Sequence, residues 1–349
     1  MFGEINNIDI GFNVNEVYKE HENKNKRKTE QRSDDWFNKR AGSWTGSRIK
    51  NIMACNRSAS RMPWSDSEKI YEFSSGIVKF IYERAMERKT GRYTKSSGSA
   101  ATKYGNIVER FIVKIGEELI DARIKEVGYK EFPDFPNAGA SSDGICEKLN
   151  AVIEIKACTN WQTHYDRSYS NTDEKSIDFW QTQAEMYAWK YDKCLYLVSE
   201  PPKDIMEYVN HPEAESLLDD SFLGDVNELE LFQKFKNECG VTVEEIKASK
   251  FHQKAMIERI KICEKVCTDW IEYGQPTGLS LEDLFWRIVD ELKVANVDES
   301  EGSNDVSKIE VNEPEIVEPI SETKRKNADE VSHRKSTLET PPSFNDLPF

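Results

Sequence analysis

The chain has 349 residues, 38% of them hydrophobic and 32% charged, with a formal net charge of −15. That profile fits a water-soluble protein with room for one large domain or two modest ones. No apolar run approaches the roughly 20 residues that span a bilayer, and the opening MFGEINNIDIGF lacks a basic region followed by an apolar core, so a cytoplasmic location is expected.

In chain order, residues 1–30 read as an irregular or weakly helical lead-in. A helix is predicted from Ser33 through SDDWFNKRAG. Serine is a good N-cap, Asp34 and Asp35 suit the positive end of the helix dipole, and Gly42 stands where a stop is expected. Thr45 or Ser47 can cap the next helix, SRIKNIM. The clearest helix is 102–120, where Tyr104, Ile107, Val108, Phe111, Ile112, Ile115 and Leu119 follow the spacing of one apolar face. Gly128, Pro133, Pro136 and Gly139 then punctuate short extended pieces. AGASSDGICEKLNAVIEIKAC reads as a strand, a turn around Lys148–Asn150 and a second strand. A helix is predicted over 176–190, a strand over 193–200, and a long charged helix over 242–273 that ends at Gly274. A helical extension follows over 276–300, and 301–349 has the composition of a disordered acidic tail.

Charge is unevenly spread. From Asn296 to Phe349 there are thirteen acids and six bases, a net of −7, which leaves −8 for the body. Basic clusters at 24–28 (KNKRK) and 88–95 (RKTGRYTK) still allow a polyanion to meet a locally positive groove. Seven cysteines, at 55, 146, 158, 194, 239, 263 and 267, include no C-x-x-C pair. Neither a zinc site, a disulfide framework nor an iron–sulfur cluster is expected, and Cys263 and Cys267 read as one face of a helix.

The chemistry concentrates in AVIEIKA. Alternation puts Val152, Glu154 and Lys156 on one face of a strand and Ala151, Ile153, Ile155 and Ala157 on the other, which can pack on a helix. Glu154 and Lys156 would stand about 6–7 Å apart along the strand. A carboxylate and an ammonium on an apolar strand need a reason, since burying either alone is costly. Mutual pairing is one reason. A metal with an attacking water is the other, because Asp143, eleven residues earlier, can bring a second hard oxygen ligand beside Glu154. Lys156 would then orient or deprotonate the water. Glu109 sits at the edge of the apolar stripe on the long helix, with Gly105 one turn earlier, where glycine permits close approach of a strand or DNA. Gln183 and Tyr187 share an i, i+4 face. Each of these alone fits an ordinary solvated or polar position equally well.

Together the blocks resemble the lambda-exonuclease/YqaJ viral recombinase family of PD-(D/E)xK nucleases. The resemblance runs from about Gln31 to Leu197: QRSDDWFNKRAGSWTGS, G-x-x-x-E at 105–109, S-x-D-G at 141–144, E-I-K at 154–156 and Q-x-Q-x-x-x-Y at 181–187. It implies an α/β fold with a restriction-endonuclease-like core, a mixed central β-sheet flanked by helices, over a nuclease domain at 31–275. It implies that Glu109, Asp143, Glu154 and the Ile155 carbonyl ligate Mg²⁺, two ions with Mn²⁺ able to substitute, with Lys156 the catalytic lysine. Gln183 would position the nucleophile, with Tyr187 and Gln181 in support. Arg40, Ser47 and Ser141 keep the spacing of a pocket for a DNA 5′-phosphate, and an arginine with a hydroxyl near a helix N-terminus suits an anion. Ser142 stands where the superfamily's proline would, and residues 201–300 match only loosely.

The tip FNDLPF, with Asp346, Pro348 and Phe349, resembles the acidic Pro-Phe tails of bacterial single-stranded-DNA-binding proteins. Such a tail would tether the chain to proteins that bind those tails, and a frayed terminus is the other reading. The whole implies a homotrimeric 5′→3′ exonuclease on linear double-stranded DNA ends. It would leave 3′ overhangs for a single-strand annealing protein in phage-type recombination. A PD-(D/E)xK endonuclease and a recruitment protein acting through its tail are the alternatives.

Overall fold

The computed structural model of the protein describes residues 34–302, except 65, 93–97, 171–173, 175, 219–223 and 275–279. The lead-in, the Ser33 cap, the KNKRK cluster and the tail with Asp346, Pro348 and Phe349 lie outside the described residues. Residues 1–299 make one unit and 300–349 a second, of which the described part is the helical 300–302.

In chain order the elements are α1 (Asp34–Arg40), β1 (Trp44–Thr45), α2 (Ile49–Met53), α3 (Gly76–Thr90), α4 (Ala100–Ile120), β2 (Tyr129–Phe132), β3 (Phe135–Ser141), β4 (Gly144–Cys146), β5 (Ala151–Ala157), α5 (Trp161–Ser170), α6 (Ile177–Trp189), β6 (Lys193–Ser199), α7 (Ile205–Val209), α8 (Ala214–Leu218), α9 (Glu230–Glu238), β7 (Val241–Lys247), α10 (Lys250–Asp269) and α11 (Leu281–Gly302). The expected mixed α/β architecture is present, divided between two sheets ordered β1-β3-β2 and β4-β5-β6-β7. Each mixes parallel and antiparallel pairs: β1 with β3 and β5 with β6 are parallel, and the others are antiparallel.

Both faces of the larger sheet are covered. Ala151, Ile153 and Ile155 pack with Ile107, Val108 and Phe111 of α4. Val152, Cys194, Tyr196 and Val198 pack with Met186 of α6. The apolar stripe of α4 is buried from Tyr104 to Ile112, whereas Leu119 is exposed. Ser99 caps the helix by accepting the Thr102 N–H at 3.2 Å. Within the chain, close approach comes at Gly116, and among the described residues no strand approaches Gly105. A Cβ at Gly116 would lie 2.3 Å from Leu197 Cδ2, while one at Gly105 meets nothing within 4 Å.

Two segments depart from the sequence reading. The strand expected before Lys148 is broken at Ser142–Asp143: β3 ends at Ser141 in the smaller sheet, and β4 begins at Gly144 in the larger. The long helix expected over 242–273 is a strand followed by a helix. VTVEEIK pairs along its whole length with β6, α10 starts afresh with Ser249 as cap, and a π-turn carries the chain to Gly274. Alternating Val241 and Val243 suit a strand, but the decisive gain is the ladder with β6, a tertiary contact that local propensity does not carry.

A second apolar core joins α2, α3, α10 and α11. Ile52, Ile77, Phe80, Ile260 and Val289 meet there, and Phe73 makes an edge contact with Phe285 at 5.3 Å. The segment from Leu281 is thus built into this core. Cys263 and Cys267 are buried in it as ordinary helix residues. Arg88, from the second basic cluster, turns inward. It donates to Glu264 at 2.9 and 2.7 Å and to the Gly42 carbonyl at 2.8 Å. Gly42 has a φ of +69, and a Cβ there would meet Arg88 Cγ at 2.3 Å, so glycine is required on both counts. Among the described residues no helix is long and apolar enough to cross a membrane.

Candidate active site

The site starts from the break between the two sheets. Gly144 is paired with Ile153, so one step back along β4 faces Asp143 toward Glu154. Asp143 Oδ2 accepts the Ile155 N–H at 2.7 Å, a backbone donor at which the β4 ladder has stopped. Burial, then the nearby Glu154 and Glu109 carboxylates, push the Asp143 carboxyl well above the ordinary range. Asp143, Glu154 and Glu109 are thereby brought into one electrostatic neighbourhood, as the strand–turn–strand reading expected of the first two and the family resemblance implied for Glu109.

Glu154 is buried on the face of β5 that meets α6. Its Oε1 receives Lys156 Nζ at 2.5 Å and Gln181 Nε2 at 2.6 Å. Lys156 also donates to Gln181 Oε1 at 3.1 Å and pairs with Asp178 Oδ1 at 3.4 Å. Burial alone would lower the Lys156 ammonium, but Glu154 and Asp178 outweigh it and raise it above the usual lysine range. Burial likewise opposes the Asp178 charge. Lys156, the Tyr196 hydroxyl at 2.7 Å and Arg167 at 3.7 Å nevertheless hold its carboxyl below the ordinary value.

The two glutamines of the Q-x-Q block separate. Successive helical residues turn by about 100°, so Gln181 and Gln183 point to opposite sides of α6. Gln181 enters the cluster. Gln183 is fully buried elsewhere: its Nε2 donates to the Lys247 carbonyl at 3.0 Å and its Oε1 accepts the Ser249 N–H at 2.8 Å. It thus ties the end of β7 to the start of α10, and the expected nucleophile-positioning role does not fit its place. Tyr187 follows Gln183 and not the cluster. Its hydroxyl donates to Asp134 Oδ2 at 3.2 Å and its ring packs edge-on to Phe132 at 5.2 Å. The face that does meet Glu154 carries Asp178, Gln181 and Glu185, a polar i, i+3, i+7 stripe on an otherwise apolar helix. That stripe is the signal in the sequence for Asp178 and Glu185.

The second feature is an anion pocket. β1 runs parallel to β3 with Thr45 opposite Gly139, a register that two residues on sets Ser47 beside Ser141. Arg40, at the end of α1 and almost buried, bridges them. Its Nη1 donates to Ser141 Oγ at 3.0 Å and its Nη2 to Ser47 Oγ at 3.3 Å. The guanidinium lies 4.0 Å over the Trp36 ring, and the Trp36 indole N–H reaches Ser141 Oγ at 3.3 Å. A hydroxyl that accepts two N–H donors has its own O–H left to give, so Ser141 can donate to an anion. The three residues expected to hold a phosphate are therefore together, with Trp36 as an added wall.

Residues 35–190 match the family described as the YqaJ-like viral recombinase domain. The match is to a stretch of 156 residues out of 349. Both the acid cluster and the anion pocket lie within it. No curated protein matches the sequence. Among solved structures, the chain is similar to LHK-Exo in complex with dAMP, at 18% identity over 70% of this chain and 98% of that one, with a TM-score of 0.48. The alkaline exonuclease LHK-Exo from Laribacter hongkongensis aligns at 17% identity over 70% and 98%, also at 0.48. A phage related exonuclease from Haemophilus somnus 129PT aligns at 15% identity over 72% and 96%, at 0.46.

The acid cluster of the matched segment presents oxygen donors to a divalent cation. Among the described residues no three His, Cys, Asp or Glu side chains are already closed around a metal position. The donor set nevertheless fits a hard cation. Glu154 Oε2 is buried with no hydrogen-bond partner, and three carboxylates are crowded against like charge. Both features are costly unless a cation relieves them.

Proposed function

We propose that this chain is a Mg²⁺-dependent nuclease that digests linear double-stranded DNA from its 5′ ends. The family match supports a nuclease role. The observation that carries the finer reading is that Ser141, one wall of the Arg40–Ser47–Ser141 pocket, stands two residues before Asp143 in the chain. The Cα atoms of Ser141 and Asp143 are therefore at most about 7 Å apart, about one nucleotide step. Asp143, Glu154, Glu109 and the Ile155 carbonyl would hold the cation, Mg²⁺ with Mn²⁺ able to substitute, and it supplies charge stabilisation at the scissile phosphate. Lys156 holds its ammonium against Glu154, where its donors can orient an attacking water. Arg40 and the two hydroxyls hold a terminal phosphate and so select an end over an internal site, which favours an exonuclease over an endonuclease.

The same reading carries three further expectations: a homotrimer, a single-strand annealing partner, and docking of the Asp346–Pro348–Phe349 tip to proteins that bind single-stranded-DNA-binding-protein tails. Sedimentation of the full chain should give three times the chain mass of 40.3 kDa. The pocket is tested by comparing linear duplexes with 5′-phosphate and 5′-hydroxyl ends. The phosphorylated end should be preferred, and Arg40→Ala should abolish the preference through a KM increase of about tenfold, the size of one lost charge-assisted contact. Equal use of both ends by the wild type would refute the pocket.

A further inference from the structure

Glu185 lies on the site face of α6, one turn after Gln181, and nothing in the proposed reaction uses it. It is fully buried. Its Oε1 accepts a hydrogen bond from Gln181 Nε2 at 2.9 Å, and its carboxyl is also within hydrogen-bond reach of Glu154. Burial, then the Glu154 and Asp143 carboxylates, push its carboxyl well above the ordinary range. An acid in such a place lowers stability relative to an apolar residue of the same size. Local conflicts of this kind collect where function holds them.

The directions of the hydrogen bonds show what the residue does. A primary amide has two N–H donors and one acceptor oxygen, and a lysine ammonium has donors alone. Gln181 sends Nε2 to both Glu154 Oε1, at 2.6 Å, and Glu185 Oε1, at 2.9 Å. Its Oε1 thereby faces Lys156 Nζ, at 3.1 Å. Turned over, the amide would set its oxygen against the Glu154 carboxylate and its NH₂ against an ammonium. The Glu154 acceptor and the Lys156 donor therefore select a single amide orientation, and the acceptor oxygen of Glu185 anchors its second N–H.

We propose that Glu185 is a positioning residue that, by fixing the Gln181 amide, holds the Lys156 ammonium in place against Glu154. Its catalytic consequence rests on the nuclease reading, but the hydrogen-bond pattern does not. With a linear 5′-phosphorylated duplex in Mg²⁺, Glu185→Met should lower kcat on the order of tenfold with KM unchanged, the scale of a slightly misplaced catalytic group. Glu185→Gln keeps an acceptor oxygen and should retain wild-type kcat. In a Gln181→Ala background, Glu185→Met should have no further effect. An unchanged kcat in Glu185→Met, or an equal loss in both backgrounds, would overturn the proposal.

A second measurement needs no activity. The side-chain amide protons of Gln181, identified by their loss in Gln181→Ala, should resist hydrogen exchange in the wild type and Glu185→Gln and lose that protection in Glu185→Met. Unchanged protection would overturn the proposal even in an inactive protein. A wild type that degrades no DNA would refute the nuclease reading and leave this measurement to decide on Glu185. The Tm of Glu185→Met should equal or exceed that of the wild type, and a clear fall would mark Glu185 as a structural residue.

Discussion

The two sides of α6 differ in how completely their polar groups are satisfied. On one side Gln183 has both ends of its amide bonded to backbone, at Lys247 and Ser249, and Tyr187 reaches Asp134. On the other, Asp178, Gln181 and Glu185 crowd against Glu154 and Lys156, and the Glu185 carboxyl is set directly against that of Glu154. A side chain whose bonds all end on backbone holds the fold together. A buried cluster of like-charged groups is a place that something else must complete.

Substitutions on the two sides should therefore fail in different ways. The largest effect is expected at Lys156. Lys156→Ala should reduce Mg²⁺-dependent degradation about a thousandfold, and an undiminished rate would remove the cluster from the chemistry. Gln181→Ala should lower kcat on the order of tenfold while leaving the Tm near that of the wild type. Gln183→Ala should do the reverse, costing about 1–2 kcal/mol in stability by removing a buried side chain that bonds two part-buried backbone groups, with the kcat of the folded protein unchanged. Paired denaturation and steady-state assays would break the comparison if Gln183→Ala proved the more damaging to kcat. The smallest effect belongs to Tyr187→Phe, which should stay within about 0.5 kcal/mol of the wild type in urea unfolding.

How far the sequence revealed the molecule depended on whether a feature is local. Helix α4 was legible because its apolar face repeats over five turns, and β5 because Val152, Glu154 and Lys156 alternate with small and branched residues. Asp143, Glu154 and Lys156, and the trio Arg40, Ser47 and Ser141, followed from spacing joined to the family resemblance. Strand β7 was hidden because its charged residues fit a helix as well as an edge strand, and only β6 decides between them. The break at Ser142–Asp143 was hidden for the same reason: whether one extended run serves one sheet or two depends on strands far away in sequence. Gln181 and Gln183 could not be ranked, since two residues of the same type on one helix differ only in which side the sheet lies.

The most direct test is a time course in Mg²⁺ with equal amounts of linear 5′-phosphorylated duplex and the same DNA as a closed circle, using wild type and Asp143→Asn. The account predicts that the wild type consumes the linear duplex from its 5′ ends and spares the circle, and that Asp143→Asn, although folded, consumes neither. Equal loss of the circle, or full activity in Asp143→Asn, would contradict it.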